Sequence, residues 1–219
     1  MATKATTSNG KAKDSLIERI EADLLSGHFR PGEWLKQADL EAQYEANRFD
    51  VRMALMDLRA RHLIEHAPNR GFRVINLSER EREELFETRT ILETAAARLV
   101  AERITPAQIA SLAAIEDEFA HQMGVAPVED LRAINARFHD MFYEASGNQV
   151  LANEVKALRR RGLPGTRGGL AWRTMAGIQE SHEDHLAMLD HLRVRDADRL
   201  VKSVASHLGN WRRYLPKAS

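Results

Sequence analysis

Asn47-Arg-Phe-Asp-Val-Arg-Met-Ala-Leu55, followed by Pro68-Asn-Arg-Gly-Phe-Arg-Val74, is the stretch on which the fold turns. In the first segment and just beyond it, Val51, Ala54, Leu55 and Leu58 recur at helical spacing, with Arg48 and Arg52 four apart on an outer face. In the second, Pro-Asn-Arg-Gly separates two short apolar runs, Leu63-Ile-Glu-His66 and Phe72-Arg-Val-Ile75, which is a hairpin signature. A helix and a hairpin, each tipped with Arg, have the makings of a DNA-reading device.

Upstream, Leu16, Ile17, Ile20, Leu24 and Leu25 define a first helix that Gly27 ends. An extended piece at Glu33 to Leu35 leads to a second helix over about Lys36 to Tyr44, and Glu45-Ala-Asn47 is the turn into the third. Three helices and a hairpin in this order predict a winged helix-turn-helix over residues 12–76, after a disordered polar leader over residues 1–11.

Downstream the pattern changes to long helices. Ser78-Glu-Arg-Glu81 and Thr105-Pro-Ala-Gln108 read as capping boxes that open two of them, the second with Pro at the first helical position. Further helices are expected over about 128–146, 149–160, 171–193 and 197–214, with a stop at Gly147-Asn148 and a loop at Gly162 to Gly169. No strand pattern occurs, so residues 77–215 should form an all-helical antiparallel bundle, and the fold class is mainly α.

The 219 residues carry 32 basic and 32 acidic side chains, so no global positive charge argues for nucleic acid. Charge is local: between Asn47 and Arg73 there are six Arg against three acidic residues, which suffices for a phosphate-contacting patch. With no Cys, disulfides and thiolate–metal sites are excluded. No apolar run reaches the length of a membrane span or forms a signal core, which points to the cytoplasm and to no membrane partner.

In a helix-turn-helix the N-terminal part of the second helix enters the major groove. Arg48 and Arg52 suit that position, because a guanidinium bonds two acceptors on guanine or clamps a phosphate. Asn47 stands where a helix N-cap and a phosphate contact coincide. Lys36 at the start of the preceding helix, and Asn69, Arg70 and Gly71 at the hairpin tip, complete the candidate DNA-binding set. Arg59 and Arg61 read as structural or surface residues.

These segments resemble the GntR family of bacterial transcription regulators, whose equivalent reads roughly Ser-Arg-Thr-Pro-Val-Arg-Glu-Ala-Leu, followed by a Gly-Leu-Val strand and an Arg-Gly or His-Gly wing. Both arginines, the Ala54-Leu55 pair and the wing match. Phe49-Asp50 replaces Thr-Pro, and Ala38 stands where many members carry Arg, so the resemblance implies the binding mode rather than a shared operator.

Three helices of the second half carry His on or beside apolar stripes. Leu200, Val204, His207 and Trp211 share one face; Ile178, His182, His185, Leu189 and Leu192 share another. Asn135 and His139 flank the stripe of Leu131, Ile134, Phe138 and Phe142. Converging imidazoles from three helices suit Zn, Ni or a similar divalent ion, whereas singly each is a core histidine. Spacing does not separate His182 from His185. His121 and His191 read as surface residues.

The region from about Ser78 to Tyr214 resembles the FCD ligand-binding domain of the FadR-type branch of GntR regulators. Its metal-binding members carry Asp-x-x-x-His on one helix and two further His twenty-two residues apart on the last two. By this resemblance Asn135, His139, His185 and His207 are the metal set, with Asn135 in place of Asp. Thr88-Arg89-Thr-Ile-Leu-Glu93 resembles the family's Arg-x-x-Leu-Glu segment, which makes Arg89 the candidate effector-binding residue, for a carboxylate or other anion. A salt bridge from Arg89 to Glu93 or Glu144 is the structural alternative.

The expectation is therefore a dimeric DNA-binding regulator and repressor, controlled by an organic acid bound near a divalent metal, with operator DNA as its macromolecular partner. The competing possibility is a metal-dependent enzyme using the three-His site. Against it, the chain has no His-Glu-x-x-His motif, no evident Ser/His/Asp arrangement, and no Lys-Ser/Thr after the Gly162 to Gly169 loop.

Overall fold

The structure, a computed structural model, describes residues 5–161 and 174–210, with side chains of the first helix from Leu16 onward. The chain separates into two compact units, whose boundary between consecutive elements falls between Ser78 and Glu79.

The first unit runs α1 (Ala5–Ser26), β1 (Trp34–Leu35), α2 (Gln37–Tyr44), α3 (Arg48–Ala60), β2 (Ile64–Ala67) and β3 (Gly71–Val74). Its core joins Leu16, Ile17, Ile20 and Leu24 of α1 to Leu40 and Tyr44 of α2 and to Val51, Ala54, Leu55 and Leu58 of α3. Helical spacing of apolar residues thus gave the contact faces directly. Gly27 ends α1 at a φ of 84°, a conformation that costs glycine little. α1 begins at Ala5, and extending an already nucleated helix adds one hydrogen bond per residue fixed.

The hairpin is one strand richer than the sequence pattern suggested. The sheet has the order β1-β3-β2, with Trp34 opposite Arg73 on one side and Glu65 opposite Arg73 on the other. A two-residue β1 is too short to show alternation, but its pairing ties the segment before α2 to the wing.

The second unit contains α4 (Glu79–Arg103), α5 (Pro106–Gln122), α6 (Val128–Glu144), α7 (Gln149–Arg161), α8 (Met175–Arg193) and α9 (Ala197–Gly209), and no strand among the described residues. The Thr105 box forms: its side chain accepts from the Gln108 backbone N–H, and Gln108 Oε1 accepts from the Thr105 N–H at 2.9 Å. Ala96, Ala97, Val100 and Ala101 of α4 join Leu200, Val204 and Leu208 of α9 in the core, and α5 packs on α6 and α8. Arg195, in the turn between α8 and α9, donates to the carbonyls of Ala101 (3.1 Å) and Ile104 (2.9 Å), closing the C-terminal end of α4. Gly147 ends the α6 segment at a φ of 66°. The Gly162 to Gly169 loop, residues 171–173 and the segment from Trp211 to Tyr214 lie outside the described residues. No described helix is long and apolar enough to cross a membrane.

Candidate nucleic-acid interface and metal centre

In the first unit α2 and α3 form the helix-turn-helix. Glu45, in left-handed backbone, makes the turn. Asn47 is the N-cap of α3, as its position suggested: its Oδ1 accepts from the Asp50 N–H at 2.9 Å, and its Nδ2 donates to Asp50 Oδ2 at 2.6 Å. Asp50 is thereby held against Asn47 at the positive end of α3.

Ion pairing sorts the arginines of the stretch. Arg61 is held by Glu21 at 2.6 Å and Asp57 at 2.5 Å, and Arg73 by Glu65 at 2.7 Å. Among the described residues Arg48, Arg52, Arg59 and Arg70 have no such partner, and all four are exposed. At the wing tip Asn69 has a φ of 62° and Gly71 one of 91°, which the short loop requires. Arg70 lies over the Trp34 ring at 4.9 Å, with Arg73 at 5.6 Å from the same ring. Lys36 is exposed at the start of α2, its side chain making no cap. Trp34 escaped the sequence reading, because a lone Trp in a two-residue strand has no periodic signal.

In the second unit His139 (α6), His185 (α8) and His207 (α9) come together, one nitrogen from each lying within 4.8 Å of the others. Nε2 of His185 is 3.1 Å from Nε2 of His139. This is the spacing of a hydrogen bond between the two rings, and it also falls within the roughly 2.9–3.4 Å that separates two nitrogens bound to one zinc at about 2.0–2.1 Å. His182 stands apart from this cluster: its Nδ1–H donates to Glu116 Oε2 at 2.8 Å. The other oxygen, Oε1, accepts from His185 Nδ1–H at 2.7 Å, which leaves the His185 lone pair on Nε2. Asp184 does the same for His207, at 2.9 Å from its Nδ1, and is steadied by Asn210 at 2.7 Å. Carboxylates behind imidazoles in this way fix the tautomer and raise ligand basicity.

Burial pushes His139 well below the ordinary histidine range, helped by Arg159, His185, His207 and Arg89. Burial also lowers His185, to about 4, against the opposing hydrogen bond with Glu116. Both rings are therefore neutral near pH 7, the form that binds metal. Asn135, four residues before His139, has a buried Oδ1 with no hydrogen-bond partner among the described residues. An orphaned carbonyl oxygen one turn before His139, together with three converging imidazoles, makes a set of donor types that zinc or nickel accepts.

Arg89, the candidate effector-binding residue, makes the alternative ion pair. Its Nε donates to Glu93 Oε1 at 2.7 Å within α4, while Glu144 pairs with Lys156 instead. Glu93 is fully buried and also accepts from Arg159 (3.1 Å) and from the Tyr143 hydroxyl. Burial alone would raise this carboxyl, yet Arg89, Arg159 and the Tyr143 hydroxyl hold it below its usual range. The Tyr143 ring stacks on His139 with centroids 6.2 Å apart, so the group of Arg89, Arg159 and Glu93 adjoins the histidines. Arg159 and Glu116 were missed from sequence. Their signal was a charge on an apolar stripe, Ala152-Val155-Arg159 and Leu112-Glu116-Phe119.

Comparison with known proteins agrees with this anatomy. The model of the FCD domain matches residues 84–210, more than half of the chain, and that of "Bacterial regulatory proteins, gntR family" matches residues 12–74. The Nta operon transcriptional regulator of Aminobacter aminovorans is 29% identical over 184 residues, covering 84% of this chain and 85% of its own. The HTH-type transcriptional regulator McbR of Escherichia coli K12 is 27% identical over 194 residues, covering 86% and 88%. The solved structure of E. coli McbR/YncC has the same fold, with a TM-score of 0.79 at 23% identity over 91% of this chain and 94% of that one. An enzyme is thereby set aside, and the chain belongs to the GntR family of bacterial regulatory proteins, as a DNA-binding transcriptional regulator with an FCD domain.

Proposed function

We propose that this regulator acts in the cytoplasm as a homodimeric repressor, released from its operator by a small organic acid bound beside a divalent ion, zinc or nickel. The observation that carries the reading is the convergence of His139, His185 and His207, with Glu116 and Asp184 behind two of them and the orphaned Asn135 Oδ1 on the first one's helix. His139, His185, His207 and Asn135 would hold the ion. When bound, it supplies a double positive charge to which a carboxylate can attach. With the ion's double charge, Arg89 and Arg159 outweigh Glu93, Glu116 and Asp184 by a single charge, so the surroundings attract an anion once the metal is bound.

DNA contact is assigned to Lys36, Asn47, Arg48, Arg52, Asn69, Arg70 and Gly71. A dimer follows from helix-turn-helix geometry, because half-sites one helical turn apart require two recognition helices related by a two-fold axis. Effector binding acts by favouring one arrangement over another, to the extent of its differential affinity for the two.

The test uses full-length protein. Metal analysis after incubation with Zn or Ni should give one ion per chain. Organic acids should raise the melting temperature only with metal present, and the same acids should release the DNA upstream of the regulator's own gene in a retardation assay. Retention of no metal after such incubation would sink the metal part of the proposal. Release of DNA by acids in metal-free protein would sink the link between metal and effector.

A further inference from the structure

Phe49 is the second residue of the recognition helix and is 69% exposed, the most exposed large apolar side chain of the first unit. At about 100° per residue, the line of α3 directly opposite Val51, Ala54, Leu55 and Leu58 runs through Phe49, Met53 and Met56. Met56 is 46% exposed. Arg48 and Arg52 lie on one side of this line, and Asp50 and Asp57 on the other. The part of α3 farthest from its own core is therefore apolar, with unpaired cations beside it.

An apolar stripe of this kind is costly in water and calls for an occupant. The surrounding charge says which. Arg48, Arg52 and Arg70 carry no acidic partner among the described residues, and Asp50, the acid nearest in sequence to Phe49, is turned back onto Asn47. A polyanion with an apolar feature in its groove fits that combination, and duplex DNA presents one such feature in the major groove, the C5-methyl group of thymine.

We propose that Phe49 reads a thymine methyl group in each operator half-site, as a specificity-determining residue. This rests on the DNA-binding function and deepens it: the arginines supply phosphate and guanine contacts, while Phe49 adds discrimination at a position where hydrogen bonding plays no part. Met53, next along the same line, extends the apolar surface toward the following base step. Alanine, threonine or proline at position 49 would leave less apolar surface there, so the preference belongs to this chain rather than to its fold.

Removing one methyl from the DNA isolates the contact. Duplexes selected by the full-length wild-type protein from a random library are resynthesised with deoxyuridine replacing each thymine in turn, which deletes only the methyl. Binding is followed by fluorescence anisotropy. Burial of one methyl corresponds to about a fourfold change in Kd, so wild type should bind about fourfold more weakly when the contacted thymine of one half-site is replaced and roughly fifteenfold more weakly when both are. Phe49→Ala should bind both duplexes alike, near the wild-type affinity for the uracil duplex, and Phe49→Leu should retain part of the preference. Circular dichroism and melting should be unchanged, since Phe49 is outside the core. The proposal is overturned if no thymine shows the effect in wild type, or if Phe49→Ala preserves it. Failure of the wild type to select any sequence would instead bring down the DNA-binding reading beneath it, which Arg52→Ala tests separately.

Discussion

Glu116 Oε1 lies 2.7 Å from Nδ1 of His185, while its other oxygen holds His182, so one buried carboxylate fixes two imidazoles on neighbouring turns of α8. Only His185 then turns Nε2 toward His139. Glu116→Gln keeps the volume but loses the charge, and one of its two oxygens becomes an amide nitrogen. Partners of this kind typically contribute 10- to 100-fold to metal affinity, so Zn titration against a competing chelator should show a weakening of about that size. Unchanged affinity would mean that Glu116 merely fills the core.

Asn135→Asp should tighten metal binding, because a carboxylate brings negative charge to a position where the amide oxygen has no partner. The gain should reach about tenfold, comparable to the lower range for tuned metal sites. In metal-free protein the same substitution should destabilise, since it leaves a buried carboxylate unpaired. Opposite signs in the two melting experiments are the diagnostic result.

Acid should destabilise the metal-free protein through its buried histidines. His185 titrates at about 4 when folded, with burial as the main cause, and near 6.5 when unfolded. Between these values the unfolded chain binds the extra proton, so stability is full above about pH 6.5 and falls as pH drops toward 4. His139, also depressed, shifts in the same direction. Moving from pH 7.5 to 5 should cost on the order of 2 kcal/mol from His185 alone. Denaturant titration at the two pH values measures the loss, and His185→Leu should reduce the pH dependence.

Arg52 and Arg61 should separate by assay. Arg52→Ala is expected to weaken operator binding roughly 10- to 100-fold while leaving the melting temperature unchanged. Arg61→Ala, which removes the guanidinium 2.6 Å from Glu21 and 2.5 Å from Asp57, should lower stability with a smaller effect on DNA. Arg70→Ala should weaken all sequences alike and flatten the salt dependence by about one unit of slope if it grips phosphate.

The winged element was legible because its signals are local. Gly27, the Asn47 cap, the stripe of Val51, Ala54, Leu55 and Leu58, and the turn at Pro68 to Gly71 each act within a few residues. The short β1 was underestimated, since a two-residue strand gains its identity only from pairing with β3. In the helical unit, spacing put His182 and His185 on equal terms, and only resemblance to a family chose between them.

What the sequence by itself determined was the order of elements, the capped helix starts and which residues line each helix face, all properties of a chain within one or two turns. Only the tertiary structure decided partnership. It gave Glu116 to both His182 and His185, Arg89 and Arg159 to one Glu93, Glu65 to Arg73, and, among the described residues, no acid to Arg48, Arg52 or Arg70. The reason is physical: secondary structure follows from short-range periodicity, whereas a buried charge takes its meaning from groups that packing brings within about 3 Å across tens of residues.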